Sequence, residues 1–465
     1  MNYHEAISKI IEDKKQKFIE ISDKIWEFAE TRYEEFHSAE LLCRKLEEEG
    51  FQVQRKVGDI QTAFIGSYGS GSPVIAILGE YDALFGLSQK SGITIKEEIV
   101  PGGKGHGCGH NLLGVGSLAA AIAIRHYMEE NGLEGTVKYY GCPAEEGGGG
   151  KAFMARAGAF QDVDVAFTWH PWDENLAYNA TMLATCQVSF KFKGKSSHAS
   201  FDPHLGRSAL DAVELMNIGA NFLREHIIPD ARLHYAITNA GGIAPNVVQA
   251  EAEVLYKLRA PKMHQVKDIL ERVYKIAEGA ALMTETEVEI QFDAASADLV
   301  PNITLGRVMD NQFTKIGAAS YTKDEFDFAA AIQATFSEEH KKVIQKSNKV
   351  LSDTVKSYNE KPDFIAASTD VGDVSWLVPT GQVYVNTFAY GTLPHSWQLV
   401  TQGKSSIAHK GMLLAGKVIA SSAIEVMQNP EFIQKAWEEH KEKLKGEVYK
   451  SLIPIETKPV AGALT

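Results

Sequence analysis

Two metal-binding side chains lie close together in a segment that is rich in glycine. Cys108 and His110 are separated by one residue in the run 105–110, where every second residue is glycine. A thiolate and an imidazole are both good ligands for zinc or a similar ion, and glycine lets the chain turn so that both reach one point. A buried thiol beside a surface histidine would explain the same segment, so this motif alone does not decide between the two.

A pair of acids provides a second candidate. Glu145 and Glu146 follow an apolar strand candidate and precede four consecutive glycines. Open α/β sheets place their functional sites at the carboxyl ends of strands. Neighbouring residues on extended backbone point in different directions, so one carboxylate can bind a metal while the other faces a water. A solvated acidic turn is the alternative, and the four glycines make it less favourable.

Three more side chains follow predicted strands. His170 and His395 each come just after an apolar run, and Asp82 follows the first such run. A lone histidine is more often structural than a ligand, and Asp82 could equally be a loop acid or a helix cap. A carboxylate that orients a histidine ligand is the natural functional role for Asp82. Because several strand ends each offer a donor, we expect these donors to meet along one edge of a sheet.

The elements that would position these residues are readable from hydrophobic patterns. Buried strands are predicted at Pro73–Leu78, Thr136–Tyr140, Val163–Thr168 and Gln382–Tyr390. Helical spacing predicts helices within the first 50 residues and at 117–130 and 406–427. This alternation predicts an α/β fold with a mixed, mainly parallel central sheet that is flanked by helices.

The pattern changes near Cys186. Residues 187–193 alternate between polar and apolar, which is typical of a sheet with one solvated face. The predicted order continues with a helix at 208–226, strands at 234–240 and 247–258, a helix at 264–282 and a strand at 287–292. This β-α-β-β-α-β order predicts an inserted α+β, ferredoxin-like domain. The predicted organisation is a catalytic domain in two parts (1–186 and 299–450), an inserted domain (187–298) and a C-terminal tail (451–465).

Composition narrows the class of protein. The 465 residues carry a formal net charge of -13, which argues against nucleic-acid or anionic-membrane partners. The N-terminus has no apolar run typical of a signal peptide, and the longest apolar stretch, 112–124, is too short to span a bilayer. Four cysteines form no disulfide framework. We therefore expect a cytoplasmic protein.

The ordered motifs resemble a known family. They are Cys108-Gly-His110, Pro143-Ala-Glu-Glu146, His170, Gly194-Lys-Ser-Ser-His198 and Leu393-Pro-His-Ser396. From about residue 20 to 430 the chain resembles the aminoacylase and hippurate-hydrolase branch of the zinc-dependent exopeptidases. Within it, Cys-Gly-His-Asn-Leu-Leu-Gly and Ser368-Thr-Asp-Val-Gly-Asp373 are closest to enzymes that hydrolyse p-aminobenzoyl-glutamate.

The resemblance implies a set of roles. A split catalytic domain would be interrupted by a lid domain that also forms a homodimer, and a second related subunit is conceivable as a partner. Two divalent ions per subunit, zinc or manganese, would be bound by Cys108, His110, Glu146, His170 and His395. Glu145 would be the general base, with Asp82 beside it in the catalytic set. His198 would reach across the dimer to the oxyanion, and Asn246 and Arg259 would bind the substrate.

The implied reaction is hydrolysis of the amide bond of an N-acyl amino acid or dipeptide with a free carboxylate. The resemblance nominates p-aminobenzoyl-glutamate, with dipeptidase and aminoacylase or hippuricase activities as alternatives. Two other interpretations stay open: cysteine hydrolysis through Cys108, and a metal-stabilised binding protein without catalysis. The chain departs from the family pattern at Asn111, where Asp is usual, and at Glu80, where the first motif usually has Asp or His.

Overall fold

The computed structural model describes residues 2–462 and divides the chain into two compact units. Unit 1 comprises residues 1–180, 300–363 and 374–449, and unit 2 comprises 181–299, 364–373 and 450–465, within the described range. No helix among the described residues is both long enough and apolar enough to cross a membrane.

Thirteen strands are described. They are β1 (Gln52–Arg55), β2 (Phe64–Ser70), β3 (Val74–Glu80), β4 (Gly135–Cys142), β5 (Val165–Trp172), β6 (Leu176–Tyr178), β7 (Ala180–Met182), β8 (Ala184–Lys193), β9 (Arg232–Asn239), β10 (Glu251–Ala260), β11 (Glu287–Ser296), β12 (Asp363–Ile365) and β13 (Thr380–Asn386). Seven of them form the sheet of unit 1, in the order β1-β2-β4-β3-β5-β13-β6, and β7 pairs with β12.

Thirteen α-helices accompany these strands in the described part of the chain. They are α1 (Tyr3–Phe28), α2 (Phe36–Glu48), α3 (His110–Asn131), α4 (Gly150–Arg156), α5 (Ala209–Leu223), α6 (Met263–Thr284), α7 (Ile303–Ile316), α8 (Lys323–Ala334), α9 (Glu338–Ile344), α10 (Val371–Leu377), α11 (Trp397–Gln402), α12 (Ser406–Gln428) and α13 (Glu431–Leu444). Of these, α3 and α12 are apolar almost all round and pack against each other beside the sheet, as expected of helices in the core of a large domain.

The sheet of unit 1 is parallel at its centre. The strands β4, β3, β5 and β13 run in the same direction, whereas β1, β2 and β6 pair in antiparallel fashion at the two sides. The central strands are apolar on both faces because helices cover both, for example along Ile75–Leu78, which is fully buried. The predicted mixed, mainly parallel sheet flanked by helices is confirmed, and the carboxyl ends of its four central strands share one edge.

Unit 2 has its own sheet of four antiparallel strands in the order β11-β8-β10-β9, with α5 and α6 packed on it. The chain order β8-α5-β9-β10-α6-β11 matches the predicted ferredoxin-like sequence of elements. One predicted strand was wrong at its start. Residues 247–250 are not part of β10, because Val247 instead forms an isolated bridge with His198 and regular pairing begins where Glu251 meets Lys193.

Candidate functional site

The carboxyl edge of the central sheet in unit 1 collects the predicted metal-binding side chains. Asp82 follows β3, Glu145 and Glu146 follow β4, and His170 lies within the last residues of β5. His395 comes nine residues after the end of β13, in a turn where its φ is 56° and its N–H donates to the Gly107 carbonyl at 2.8 Å. The sheet therefore brings together donors that are far apart in the sequence.

The glycine-rich run before α3 has a specific steric role. Gly109 adopts a φ of 78° immediately before His110, the first residue of α3, and a side chain there would press on Pro171 and Phe388. Glycine is the residue that takes this conformation without strain. The turn carries Cys108 and His110 into the same cluster at the sheet edge.

Two groups of donor atoms in this cluster share Cys108. One group is Cys108, His110 and His170, the other is Cys108, Glu146 and His395, and within each the ligand atoms lie within 4.8 Å of one another. A thiolate common to two groups is the arrangement that two neighbouring ions would need. The assignment of these five residues as ligands nevertheless stays a prediction.

The distances between donors test the fit of a divalent ion. Cys108 Sγ lies 3.5 Å from His170 Nε2, and His395 Nε2 lies 3.2 Å from Glu146 Oε2. Donors bound to one ion at zinc-like bond lengths are separated by about 3.0–3.6 Å. In addition, His110 Nε2 and Glu146 Oε1 are buried without a hydrogen-bond partner. Because buried polar atoms are normally satisfied, these two atoms fit a site that binds a cation.

Asp82 holds two of the candidate ligands. Its Oδ1 lies 2.8 Å from His110 Nδ1, and its Oδ2 accepts from the Glu146 N–H at 2.9 Å. Both side chains of the Asp82–His110 pair are inaccessible to solvent. A carboxylate on Nδ1 fixes the tautomer of a histidine so that Nε2 faces the ion. The predicted orienting role of Asp82 therefore has the geometry that it needs, although the role itself stays a prediction.

The electrostatics of the site reflect this crowding. Burial alone would lower the pKa of His110, but the Asp82 carboxylate and the Cys108 thiol raise that pKa well above its ordinary value. Burial lowers the pKa of His170, and burial raises the pKa of Cys108 well above its ordinary value. The hydrogen bond with Glu146 raises the pKa of His395. A bound divalent ion would reverse this pattern by favouring the thiolate and the neutral imidazoles.

Glu145 lies beside the ligand cluster. One of its carboxylate oxygens is within 4.8 Å of ligand atoms of both Glu80 and His110. Glu145 is partly exposed, whereas Glu80 and His110 are buried. A carboxylate next to the ions and open to solvent is placed where a general base can meet a water. Its predicted function as that base stays a prediction.

Several residues at this edge were missed by sequence reasoning. Lys151 is completely buried and pairs with Glu80. His106, inside the same glycine-rich run as Cys108, is a structural histidine whose Nε2 contacts the Ile25 carbonyl at 2.9 Å. The third, Glu35, comes from the loop before α2. Nothing in the local sequence of these residues indicates their partners, which come from distant segments.

Glu35 holds the turn that carries the acid pair. This fully buried carboxyl accepts from the N–H of Ala144 at 3.0 Å and from the Thr62 hydroxyl at 2.9 Å. Ala144, directly before Glu145, has a φ of 59°, a conformation that a non-glycine residue adopts only when its surroundings enforce it. Burial, and then the charge of Asp82, raise the pKa of Glu35 from 4.5 to about 8.

This raised pKa predicts a stability that falls as the pH rises. In the unfolded chain Glu35 loses its proton near pH 4.5, whereas the folded protein keeps it to about pH 8. Stability is therefore greatest below the lower value and decreases between the two. We expect Glu35→Gln to remove on the order of 2 kcal/mol of this decrease between pH 5 and 8 in metal-free protein, measured by denaturant unfolding. Glu34→Gln is the matched control, and equal pH slopes for Glu35→Gln and wild type would contradict the prediction.

Three predicted site residues lie in unit 2. His198 and Asn246 are exposed and sit on adjoining loops, where the Ala199 N–H donates to the Asn246 carbonyl at 2.9 Å. Ring atom Nδ1 of His198 accepts from the N–H groups of Ser200 and Phe201. This pattern leaves the proton on Nε2, which is the nitrogen available to donate.

Arg259, the third of these residues, lines a basic recess in unit 2. The recess has a volume of about 320 Å³ and is lined by Leu183, Asp230, Arg232, His234, Arg259, Phe364 and Ala366. Arg259 stands opposite Arg232 across the β9–β10 pair and donates to the Ser368 hydroxyl at 2.6 Å. Partial burial, and then the charges of Arg259 and its neighbours, lower the pKa of His234. The positive potential of this recess favours an anion.

Comparisons with known proteins agree with the family that the motifs indicate. The model of "Peptidase family M20/M25/M40" matches residues 76–395. One of the named subunits of p-aminobenzoyl-glutamate hydrolase from Escherichia coli (strain K12) is 50% identical over 470 residues, which covers 97% of this chain and 98% of that protein. Xaa-Arg dipeptidase from Mus musculus is 31% identical over 453 residues, with 94% and 92% covered.

A solved structure shows that the fold is shared. It is a dinuclear metal-binding peptidase of the M20 family from Bacillus subtilis, with a TM-score of 0.55 and 17% identity, and the match covers 90% of this chain and 99% of that one. The resemblance to the exopeptidase family is thus confirmed. The chain belongs to peptidase family M20/M25/M40, and it is a hydrolase of amide bonds.

Proposed function

We propose that this protein is a two-metal amidohydrolase that cleaves N-acyl amino acids with a free carboxylate. The observation that carries the proposal is the pair of donor groups that share Cys108, with Glu145 beside them. Cys108, His110, Glu146, His170 and His395 would hold two divalent ions, zinc or manganese. The dinuclear character of the Bacillus subtilis peptidase supports the number of ions.

The residues of the chain would divide the work of hydrolysis. Bound ions would lower the pKa of a water and polarise the amide carbonyl. Glu145 would accept the proton of the attacking water and transfer it to the leaving nitrogen. Asp82 would keep His110 and the backbone of Glu146 in place. The Nε2–H of His198 would donate to the oxyanion, which is the kind of contact that strengthens as charge develops on the carbonyl oxygen.

Recognition of a carboxylate would fall to unit 2. The guanidinium of Arg259 can bind a carboxylate in bidentate fashion, and Arg232 and His234 in the same recess add positive charge. Asn246 would contribute an amide contact to the substrate. The recess thereby supports substrates that carry an acidic amino acid, with one carboxylate on the main chain and another on the side chain.

The relatives nominate the substrate. The Escherichia coli relative is named for p-aminobenzoyl-glutamate, whose glutamate has two carboxylates, and the Mus musculus relative is named for Xaa-Arg dipeptides. The basic recess favours the first of these substrates, since a cationic arginine side chain would be repelled by Arg232 and Arg259. We therefore propose p-aminobenzoyl-glutamate, ahead of dipeptides and other N-acyl amino acids.

Pairing with another copy would complete the site. Exposed apolar side chains accompany the loops of His198 and Asn246, namely Phe201, Leu205, Ile243 and Val247. Such a group on a surface is typical of an interface with another chain. A homodimer through unit 2 would cover it. The other named subunit of the Escherichia coli hydrolase is 27% identical over 246 residues, so a heteromeric pairing with a related chain is the alternative. The mass of the purified protein in solution, with and without such a chain, decides between them.

The experiment that tests the function is a hydrolysis screen on metal-reconstituted protein. The panel contains p-aminobenzoyl-glutamate, N-acetyl and N-benzoyl amino acids, and dipeptides that end in arginine. Each acid is paired with its carboxamide as a matched control. We expect p-aminobenzoyl-glutamate to have the highest kcat/KM, and its doubly amidated form to lose about 10- to 100-fold, as charge-assisted hydrogen bonds are worth about 1.5–3 kcal/mol. Equal rates for acid and amide would contradict carboxylate recognition.

The same screen separates the metal mechanism from the two alternatives. Activity should disappear after dialysis against a chelator and return when zinc or manganese is added. Cysteine hydrolysis through Cys108 predicts instead that the chelated enzyme stays active and that a thiol-alkylating reagent inactivates it. A metal-stabilised binding protein predicts no turnover of any amide at full metal loading.

A further inference from the structure

A completely buried lysine lies next to the ligand cluster. Lys151 is the second residue of α4, directly after the four glycines, and its side chain is 0% exposed. Its Nζ lies 2.6 Å from Oε1 of Glu80, whose side chain is only 3% exposed. An ammonium in such a place is very unfavourable unless it is paired, so the Glu80–Lys151 pair is a single electrostatic unit.

The second oxygen of Glu80 points towards the candidate ligands. Oε2 lies 3.3 Å from Nε2 of His110, and this nitrogen is buried without a hydrogen-bond partner. Asp82 already occupies Nδ1 of the same ring, so Nε2 is the nitrogen that faces an ion. The separation of 3.3 Å falls within the range of about 3.0–3.6 Å expected for two donors on one ion.

The charges at this edge account for the lysine. Five side chains would be anionic in the loaded site: Glu80, Asp82, Cys108, Glu145 and Glu146. Two divalent ions supply four positive charges, and Lys151 supplies the fifth. Glu80 together with Lys151 therefore adds an oxygen donor to the cluster without changing its net charge. Glycine at 150 allows this placement, because a side chain there would lie 2.1 Å from the Pro143 carbonyl oxygen.

We propose that Glu80 is a further metal-binding side chain and that Lys151 is the positioning residue that holds it. Lys151 binds one carboxylate oxygen and leaves the other for the ion held by His110. This inference rests on the proposed two-metal function. It gives a chemical role to the unusual glutamate in the first motif, which sequence reasoning left unexplained. The added oxygen makes that position more favourable for manganese, which prefers oxygen donors, than a thiolate and imidazoles alone would.

Three variants test the pair through metal binding rather than activity. Glu80→Gln keeps the shape of the side chain but places an amide nitrogen where an oxygen donor is needed. Lys151→Met leaves a buried carboxylate without its counter-ion, so Glu80 takes up a proton and ceases to be an anionic donor. We expect each variant to raise the Kd for manganese about tenfold or more, and the Kd for zinc by less. The double variant should be no worse than Glu80→Gln, because the two residues act as one unit.

The measurements are chelator-competition titrations with Mn²⁺ and Zn²⁺ and the electron paramagnetic resonance spectrum of bound Mn²⁺. Glu325→Gln is the matched control, since Glu325 pairs with Lys410 at 2.7 Å in the same unit. Glu80→Asp keeps the charge pair but withdraws the oxygen from His110, so it tests the ligand even if Lys151→Met does not fold. Thermal unfolding of metal-free protein reports on folding separately.

The outcomes distinguish two failures. If the wild-type protein binds no divalent ion, the proposed function itself is wrong. If the wild-type protein binds two ions and both Glu80→Gln and Glu80→Asp keep its Kd values and Mn²⁺ spectrum, the pair is a structural salt bridge and the inference alone is wrong. Additive effects of the two single variants on the Kd for manganese would also overturn it.

Discussion

Replacement of Glu145 by glutamine is expected to lower kcat by about 10²- to 10⁴-fold while two divalent ions stay bound, since general acid–base catalysis typically contributes a factor of that size. Glutamine has nearly the same shape but cannot accept the proton of the attacking water. Because Glu145 lies outside the two donor groups that share Cys108, the change should leave metal binding intact. The measurement is kcat on p-aminobenzoyl-glutamate together with metal content by elemental analysis.

The neighbouring acid provides the sharpest comparison for this variant. Glu146 is a member of one donor group, so Glu146→Gln should lose metal as well as activity. Glu130→Gln, on the exposed side of α3, controls for the substitution itself. If Glu145→Gln keeps wild-type turnover at full metal loading, another group is the base. If Glu145→Gln and Glu146→Gln lose metal equally, the division between base and ligand is wrong.

The sheet edge could be predicted from the sequence because its donors follow recognisable strands. Apolar runs before Asp82, Glu145 and His170 are long enough to be buried strands, and parallel strands bring their carboxyl ends to one side. The structure confirms these strands, and it adds β6, a three-residue strand that pairs in antiparallel fashion with β13. A strand this short carries no readable periodicity, so sequence patterns could not have indicated it.

The supporting residues could not be predicted, and the reason is physical. Lys151 and Glu35 have charged side chains, and charged side chains are normally exposed, so their sequence positions suggest surface residues. Their burial depends on partners that other strands and loops supply, namely Glu80 for the lysine and the Ala144 N–H and Thr62 hydroxyl for the glutamate. Sequence spacing gives no access to such pairs when the partners are not local.

The same limit applies to unit 2. The order of strands and helices was readable because one sheet face is solvated, which gives a clear alternation. The basic recess was not readable, since Arg232, His234 and Arg259 come from two strands whose register sets them opposite one another. Arg259 was singled out only by resemblance, and the register adds two neighbours that the resemblance did not include.

Replacement of Asp82 by asparagine is expected to weaken both metal positions. Asp82 contacts one ligand of each donor group: His110 Nδ1 at 2.8 Å and the Glu146 N–H at 2.9 Å. Both contacts require an acceptor, and asparagine offers one acceptor and a donor that opposes the other N–H. Loss of such a supporting group typically raises the Kd of a metal by 10- to 100-fold, so at limiting metal we expect activity to fall by about 10²- to 10⁴-fold when both positions are affected.

The signature of this variant is rescue by metal. Activity of Asp82→Asn should rise as zinc or manganese is titrated in, whereas Glu145→Gln should stay inactive at any metal concentration. Asp164→Asn is the matched control, because Asp164 accepts from the Val74 N–H at 2.7 Å at the opposite end of β3 and should leave metal binding unchanged. Wild-type metal affinity in Asp82→Asn would show that the carboxylate does not orient the ligands. Loss of activity without loss of metal would instead place Asp82 in the chemical step.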